Sequence, residues 1–318
     1  MMSIPSQKPF LYMAPLRGIT DALFRRIYCN HFHGIDSAIA PFINPQRKAV
    51  FSDKLLSDIL PDPNCSLPVI PQILNSDPDG FIVLADRLYE LGYKTVNWNL
   101  GCPVPMVAKK RRGSGLLPYP DQIVELIEQV LPRLRCQLSI KMRLGFQNYQ
   151  ESLDLLPRLD KFPLAEIIIH ARLGKQLYKG PTAPERFAEC ADQTRHSLVY
   201  NGDITSFEIY ADLADRLPAI SSWMIGRGLL ANPFLPAEIK ASEFSGLRRR
   251  ERLAAFHDEL FLEMKRRLSG PGHLLGRMKQ VWIYFIESFP EKKKLLKNIT
   301  KASSEQKYLE AVRTVIFG

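Results

Sequence analysis

The chain has 318 residues, 46% of them hydrophobic and 24% charged, the balance of a folded globular protein and not of a disordered one. No apolar run approaches the roughly 18–20 residues that span a bilayer, and the opening MMSIPSQKPFLYMAP lacks the basic start and long apolar stretch of a secretory leader. The net charge of +10 is concentrated late: residues 241–318 carry 16 Lys+Arg against 9 Asp+Glu, which implies either solvated helix faces or a polyanionic partner such as nucleic acid or an anionic membrane surface.

Eight short apolar segments follow one another along the first 230 residues: Phe10–Ala14, Ser37–Pro41, Val69–Leu74, Thr95–Leu100, Leu138–Arg143, Glu166–His170, Leu198–Asn201 and Trp223–Gly226. Several are nearly continuous Ile- and Val-rich runs, as expected of parallel strands buried on both faces. Amphipathic stretches such as Phe81–Leu91, Asp121–Leu134 and Ser206–Arg216 lie between them. Strand and helix alternating eight times predict an α/β fold, a (β/α)8 TIM barrel. A doubly wound open sheet is the runner-up, but it would want a GxGxxG turn after its first strand, and MAPLRGITD is not one. Beyond Pro236 the strand signals stop. Leu247–Leu268, Leu274–Ser288 and Glu305–Ile316 read as helices, so residues 1–240 are expected to form the barrel and 241–318 a small helical domain, joined near Ala237–Gly246.

The five cysteines are odd in number, scattered and never spaced as CxxC. That argues against a disulfide framework or a zinc site, and for a reducing cytoplasm. No metal is expected.

Barrel enzymes place their chemistry at the C-terminal ends of the strands, and these ends are unusually polar here. Strand 1 runs into Pro15-Leu16-Arg17-Gly18, with Thr20 or Asp21 able to cap the next helix. The third segment offers Gln72, an amide able to pair with both a carbonyl and an N–H of a planar heterocycle. The fourth runs through Asn97-Trp98-Asn99-Leu100 into Gly101-Cys102-Pro103. Most free cysteines fill cores, but a cysteine held between glycine and proline at a strand end is a candidate catalyst, and Asn99 can face the same site. Lys141 stands near the end of an apolar strand, where a lysine needs an anionic or carbonyl partner. His170 and Arg172 end the sixth segment opposite it. Asn201-Gly202-Asp203 and Gly226-Arg227-Gly228 end the last two, where glycines let backbone N–H groups approach a phosphate and Arg227 adds charge. A phosphorylated ligand follows, FMN or a sugar phosphate.

Together these residues resemble the tRNA-dihydrouridine synthase family along nearly the whole chain: MAPLRGITD, the Gln of PQIL, NLGCP followed by GSGLL, KMRLG, HARLGKQLYKG, NGDI and MIGRGLLANP, with Gly276–Gln280 and Lys292–Lys294 in the tail. The resemblance implies FMN contacts at Pro15, Leu16, Arg17, Gln72, Lys141, His170, Asn201, Gly202, Asp203, Gly226 and Arg227. It implies that Asn99, Lys141, His170 and Arg172 surround a flipped uracil and that Cys102 protonates C5 of that base, with NADPH reducing the flavin and a monomer acting on tRNA. The tail leans toward the bacterial subfamily acting on the sixteenth nucleotide. Asn97-Trp98, Pro181–Phe187 and Arg17 depart from the family's common pattern. Two other readings stand beside this one: an FMN barrel acting on free pyrimidines, and an RNA-binding or RNA-folding module. Lys109–Arg112, next to Cys102, read as phosphate contacts or as a solvated turn.

Overall fold

Apolar runs of four to seven residues can bury both faces only between neighbouring strands and a covering layer of helices, and the chain does this throughout. The computed structural model describes residues 8–44, 51–241 and 248–318. The first seven residues, 242–246 of the expected junction and Leu247 lie outside them. The strands are β1 (Phe10–Met13), β2 (Ser37–Ile39), β3 (Val69–Ile70), β4 (Gln72–Ile73), β5 (Thr95–Leu100), β6 (Gln137–Arg143), β7 (Leu164–His170), β8 (Leu198–Asn201) and β9 (Ser222–Ile225). Every pairing between them is parallel.

All eight expected segments carry a strand, but the third is two. The sheet order is β3-β2-β1-β9-β8-β7-β6-β5-β4, so its two ends are consecutive pieces of one segment. Pro71 separates them. It has no N–H to give to a ladder, while its carbonyl accepts from Asn97 N at 2.9 Å. Val69–Ile70 therefore pairs with β2, Gln72–Ile73 pairs with β5, and the cylinder closes through the proline.

Alternation sorts the side chains. Tyr12, Ala14, Ile39, Ile168, Val199 and Met224 form a small cluster of their own, the filling of the cylinder. Their neighbours Leu11, Ile167, Ile169, Tyr200, Trp223 and Ile225 join the larger cluster beneath the helices. Asp21, an expected cap, accepts from Phe24 N at 3.0 Å, and Asp77 caps the next long helix, accepting from Gly80 N at 2.8 Å. Thr20 is no cap. It ties the first turn, accepting from Leu16 N at 2.8 Å and donating to Ala14 O at 3.0 Å.

After the barrel come helices Arg249–Arg267, Pro271–Phe285, Leu296–Lys301 and Glu305–Phe317. The short third one carries no apolar period long enough to read in the sequence. Trp282 Nε1 and His257 Nε2 both lie 2.8 Å from the Tyr308 hydroxyl, a satisfied polar knot in the tail's centre. The tail does not stand apart from the barrel. Phe256 meets Phe24 edge-on at 5.8 Å, Arg26 pairs with Glu263 at 3.0 Å, and one apolar cluster runs from β1 to Ile316. Deleting 241–318 would therefore strip the helix Ala22–His31 of its cover as well as removing basic charge. None of the helices of the described residues is long and apolar enough to cross a membrane.

Candidate active site

A chain of amides crosses one side of the barrel mouth. Asn97, buried inside the cylinder, donates to Ser139 Oγ at 2.8 Å and accepts from Gln72 Nε2 at 2.7 Å. Gln72 Oε1 accepts from Asn99 Nδ2 at 2.7 Å. Asn99 Oδ1 then receives the backbone N–H groups of Gly101 at 3.1 Å and Cys102 at 2.8 Å. Each amide is oriented by the previous one, which leaves one N–H of Gln72 for a ligand. Trp98 points the other way, fully buried, with Nε1 donating to Asn75 O at 2.9 Å. The Asn97-Trp98 departure thus places an amide inside and an indole outside.

Cys102 sits at the end of this chain. Its carbonyl accepts from Ser114 N at 3.0 Å and from Ser114 Oγ at 3.1 Å. Gly113, at φ +57, lets that turn close down: a Cβ there would come within 2.9 Å of Cys102 Cβ. The cysteine is fixed on both sides of its Cα. Burial pushes its thiol pKa up, against smaller opposing pulls from the Val104 N–H, Arg143 and Arg17. The sulfur therefore carries its proton at neutral pH.

The other side of the mouth is cationic. Lys141 Nζ donates to Asn201 Oδ1 at 2.8 Å, and Asn201 donates onward to Met224 O at 2.9 Å. Desolvation, with Arg143 adding repulsion, brings the Lys141 pKa down to about 7. His170 is held neutral, first by burial and then by Arg143, Lys141, Arg172 and Arg227 around it. Its Nε2 lies 3.2 Å from Arg172 Nη1. Arginine only donates, so Nε2 accepts and the ring proton sits on Nδ1. Arg172 is buried, and its remaining donors go to Gly180 O and to both carboxylate oxygens of Asp203. Asp203 also receives Arg227 Nη2 at 2.6 Å. Burial raises the Asp203 pKa, but the two guanidiniums outweigh it and hold the carboxyl below its usual range. Asp203 adopts φ +42, a strained conformation for a residue with a Cβ, held by its two arginines.

Between the two sides lies a cavity of about 380 Å³, within the range of small-ligand sites. Pro15, Leu16, Arg17, Gln72, Asn99, Cys102, Lys141, His170, Asn201, Asp203, Gly226 and Arg227 line it. Two expected residues do not. Arg172 stands behind the wall, and Gly202 packs away from it, where a Cβ would meet Thr182 Cγ2 at 2.9 Å. The cavity adds residues that sequence reasoning missed. Arg143 is buried against it, donates to Leu173 O at 2.8 Å and leaves its Nε without a partner. Burial lowers its pKa to about 10, so it stays charged. Strand alternation from Lys141 could have found it. Tyr178 lies between Arg143 and Arg227, its ring 5.2 and 5.6 Å from their guanidinium carbons. Phe42 stacks under Arg17 at 5.3 Å. Tyr284 reaches in from the tail, on the helix whose Arg277 bonds Asp21 at 2.5 Å; nothing local in the sequence signals it. A second cleft of about 750 Å³ continues past Arg227 and Tyr284 toward Arg249 and Arg250.

The donor set fits a flavin mononucleotide. Its floor is apolar (Ala14, Pro15, Leu16), and its rim offers directed donors from Gln72, Lys141 and His170. At Gly228 the loops after β8 and β9 approach so closely that a Cβ would overlap Ile204 O, a cradle with Arg227 at its edge.

A sequence model of the family described as dihydrouridine synthase (Dus) matches residues 12–317. The tRNA-dihydrouridine synthase B of Pasteurella multocida (strain Pm70) is 28% identical over 226 residues, covering 71% of this chain and 67% of its own. The tRNA-dihydrouridine(16) synthase of Pseudomonas putida is 28% identical over 292 residues, covering 88% of each chain. Overall identity is the same to both types, so a position-16 specificity does not follow from it. Among solved structures, a morphinone reductase mutant in complex with tetrahydroNAD superposes with a TM-score of 0.51 at 13% identity, covering 76% of this chain and 89% of that one, a likeness of fold.

Proposed function

The chain belongs to the dihydrouridine synthase family, flavin-dependent oxidoreductases that modify tRNA, and from that premise we propose that it reduces the C5–C6 double bond of a D-loop uridine, with FMN as its flavin, NADPH as reductant and Cys102 as proton donor. The observation that carries the reading is a cysteine, locked at its amide and its carbonyl, that lines one cavity with Lys141, Arg143, His170 and Arg227.

When bound, FMN supplies the hydride that C6 of the uracil accepts. The protein's part is position and charge. Lys141, Arg143 and the Nδ1–H of neutral His170 face the negative charge that develops on the base carbonyls as C6 is reduced. Arg172 acts through Asp203 and His170, fixing the first against Arg227 and the tautomer of the second. Cys102 Sγ–H gives its proton to C5. Gln72 and Asn99 orient one another and the cysteine without adding charge. Gly226, Arg227 and Gly228 would hold the FMN phosphate. Gly202 supports that cradle through the backbone turn that presents Asp203.

A uridine in a folded RNA must leave its stack to reach this cavity. Lys109, Lys110, Arg111 and Arg112 are cations beside Cys102 with no carboxylate within salt-bridge distance among the described residues, and they grip phosphates, as does the basic tail. A free-pyrimidine enzyme would leave both idle. We place residues 1–240 as the catalytic part and 241–318 as the RNA-contacting part of a cytoplasmic monomer. A nicotinamide that visits the flavin face only transiently needs no Rossmann fingerprint.

The test is Cys102→Ala. The variant should stay yellow, accept electrons from NADPH, and form dihydrouridine in tRNA at least about 100-fold more slowly, the scale of a lost general acid. Wild-type rates in that variant would overturn the assignment of the proton donor. Mapping dihydrouridine in tRNA with and without the protein identifies the nucleotide.

A further inference from the structure

A short turn beside the barrel mouth takes no part in holding the flavin or moving the proton. Between the locked Cys102 and the Gly113–Leu116 turn, the chain projects Val104–Ala108 outward from the barrel mouth. Met106 forms its tip and is 78% exposed, the most of any large apolar side chain among the described residues. Val104, at 45%, is both exposed and part of the cavity lip. Leu177 and Tyr178 add apolar surface on the neighbouring loop at 38% and 53%.

This knob cannot fold back. Its root is bonded at Asn99 and Ser114. Its far end is pressed on Gly115, where a Cβ would stand 2.5 Å from Ala108 Cα. Immediately after it comes the basic run Lys109–Arg112, whose Arg112 is tethered to Ser76 and Asn44 at 3.4 and 3.2 Å on the same rim. An unbranched, polarisable side chain on a fixed arm, flanked by cations, is matched to one surface: stacked bases with phosphates on either side. A membrane would ask for a broader apolar face, and a protein partner would not ask for four cations without a carboxylate partner among the described residues.

We propose that Met106 is a wedge that enters the base stack of the folded RNA, occupying the gap left when the target uridine swings into the barrel while Lys109–Arg112 hold the adjoining phosphates. The inference rests on the functional reading above and adds to it the device that keeps the base out. Proteins that kink nucleic acids insert side chains of this kind between bases, which offsets the cost of unstacking.

The experiment uses the full flavin-loaded protein and tRNA carrying 2-aminopurine beside the uridine that the wild type reduces. Wild-type binding should raise the fluorescence as the stack opens. Met106→Ala should keep its flavin, its melting temperature and its salt-dependent affinity within about threefold, because the phosphate contacts remain. It should lose most of the fluorescence rise and about tenfold in turnover on folded tRNA, and Met106→Leu should restore most of both. A Met106→Ala protein with the wild-type fluorescence rise and turnover overturns the wedge alone. Absence of dihydrouridine from wild-type reactions overturns the functional reading and the wedge with it.

Discussion

The two sides of the barrel mouth solve the same problem, holding polar side chains away from water, by opposite means. On the β4–β6 side a neutral relay, Ser139–Asn97–Gln72–Asn99, satisfies itself amide by amide and ends on the backbone of Cys102. On the β6–β9 side four cations, Lys141, Arg143, Arg172 and Arg227, crowd a neutral histidine, and only Arg172 and Arg227 share an aspartate, Asp203. The relay pairs its amides internally and leaves one N–H of Gln72 open. The cationic side leaves more open, for it keeps an orphaned Arg143 Nε and a lysine near neutrality, both of which an anionic or carbonyl-rich guest would satisfy. Position comes from the neutral side and binding energy for charge from the other.

The sharpest way to break this division is Lys141→Met. It should cost at least about 100-fold in turnover while FMN remains bound, the size expected for removing a cation from developing charge. The residue's own titration adds a sign. With its pKa lowered to about 7 in the fold, against about 10.4 in an unfolded chain, the unfolded state binds more protons between those values. Stability of the apoprotein should therefore rise as pH climbs from about 7 towards 10, while turnover falls because the charged form is lost. Met at 141 should flatten both, measurable by urea midpoints and by pH–rate profiles.

Arg227→Ala comes next. Its guanidinium is partly exposed and shares Asp203 with Arg172, which remains. Flavin affinity should drop by about 10- to 100-fold, the worth of one or two charge-assisted hydrogen bonds, with little change in the melting temperature of the apoprotein. Equilibrium titration with FMN reads this directly.

The smallest effect belongs to the neutral side. Asn97→Leu removes the bridge between Ser139 and Gln72 and leaves both without their partner. Turnover should fall by about tenfold, through a misoriented Gln72 and a looser Cys102, with the shape of the pH profile unchanged because no charge is lost. A profile shifted as in the Lys141 variant would show that the two sides are one coupled network.

Most of this architecture was legible before the fold. Buried parallel strands are apolar on both faces, so all eight segments stand out, and chemistry at strand ends follows from the barrel. What escaped depends on contacts between distant residues. The split at Pro71 is a change of pairing partner, invisible to hydrophobic pattern. Tyr178 and Phe42 sit on loops whose course no periodicity fixes, and Tyr284 enters from a helix that reads as ordinary core. Arg172 was expected among the cavity residues because of its strand-end position, but Asp203 and Gly180 draw it behind the wall. Only Arg143 was recoverable, two residues beyond Lys141 on the same strand.

The clamp around Cys102 has one more consequence, for the protein's durability. A sulfhydryl kept in its acid form reacts slowly with electrophiles and peroxides, since the anion is the reactive species. Ser114 and Gly113 hold the backbone beside it, so the sulfur keeps its place on the cavity wall. The same burial that keeps the proton on the sulfur should slow its alkylation and its oxidation.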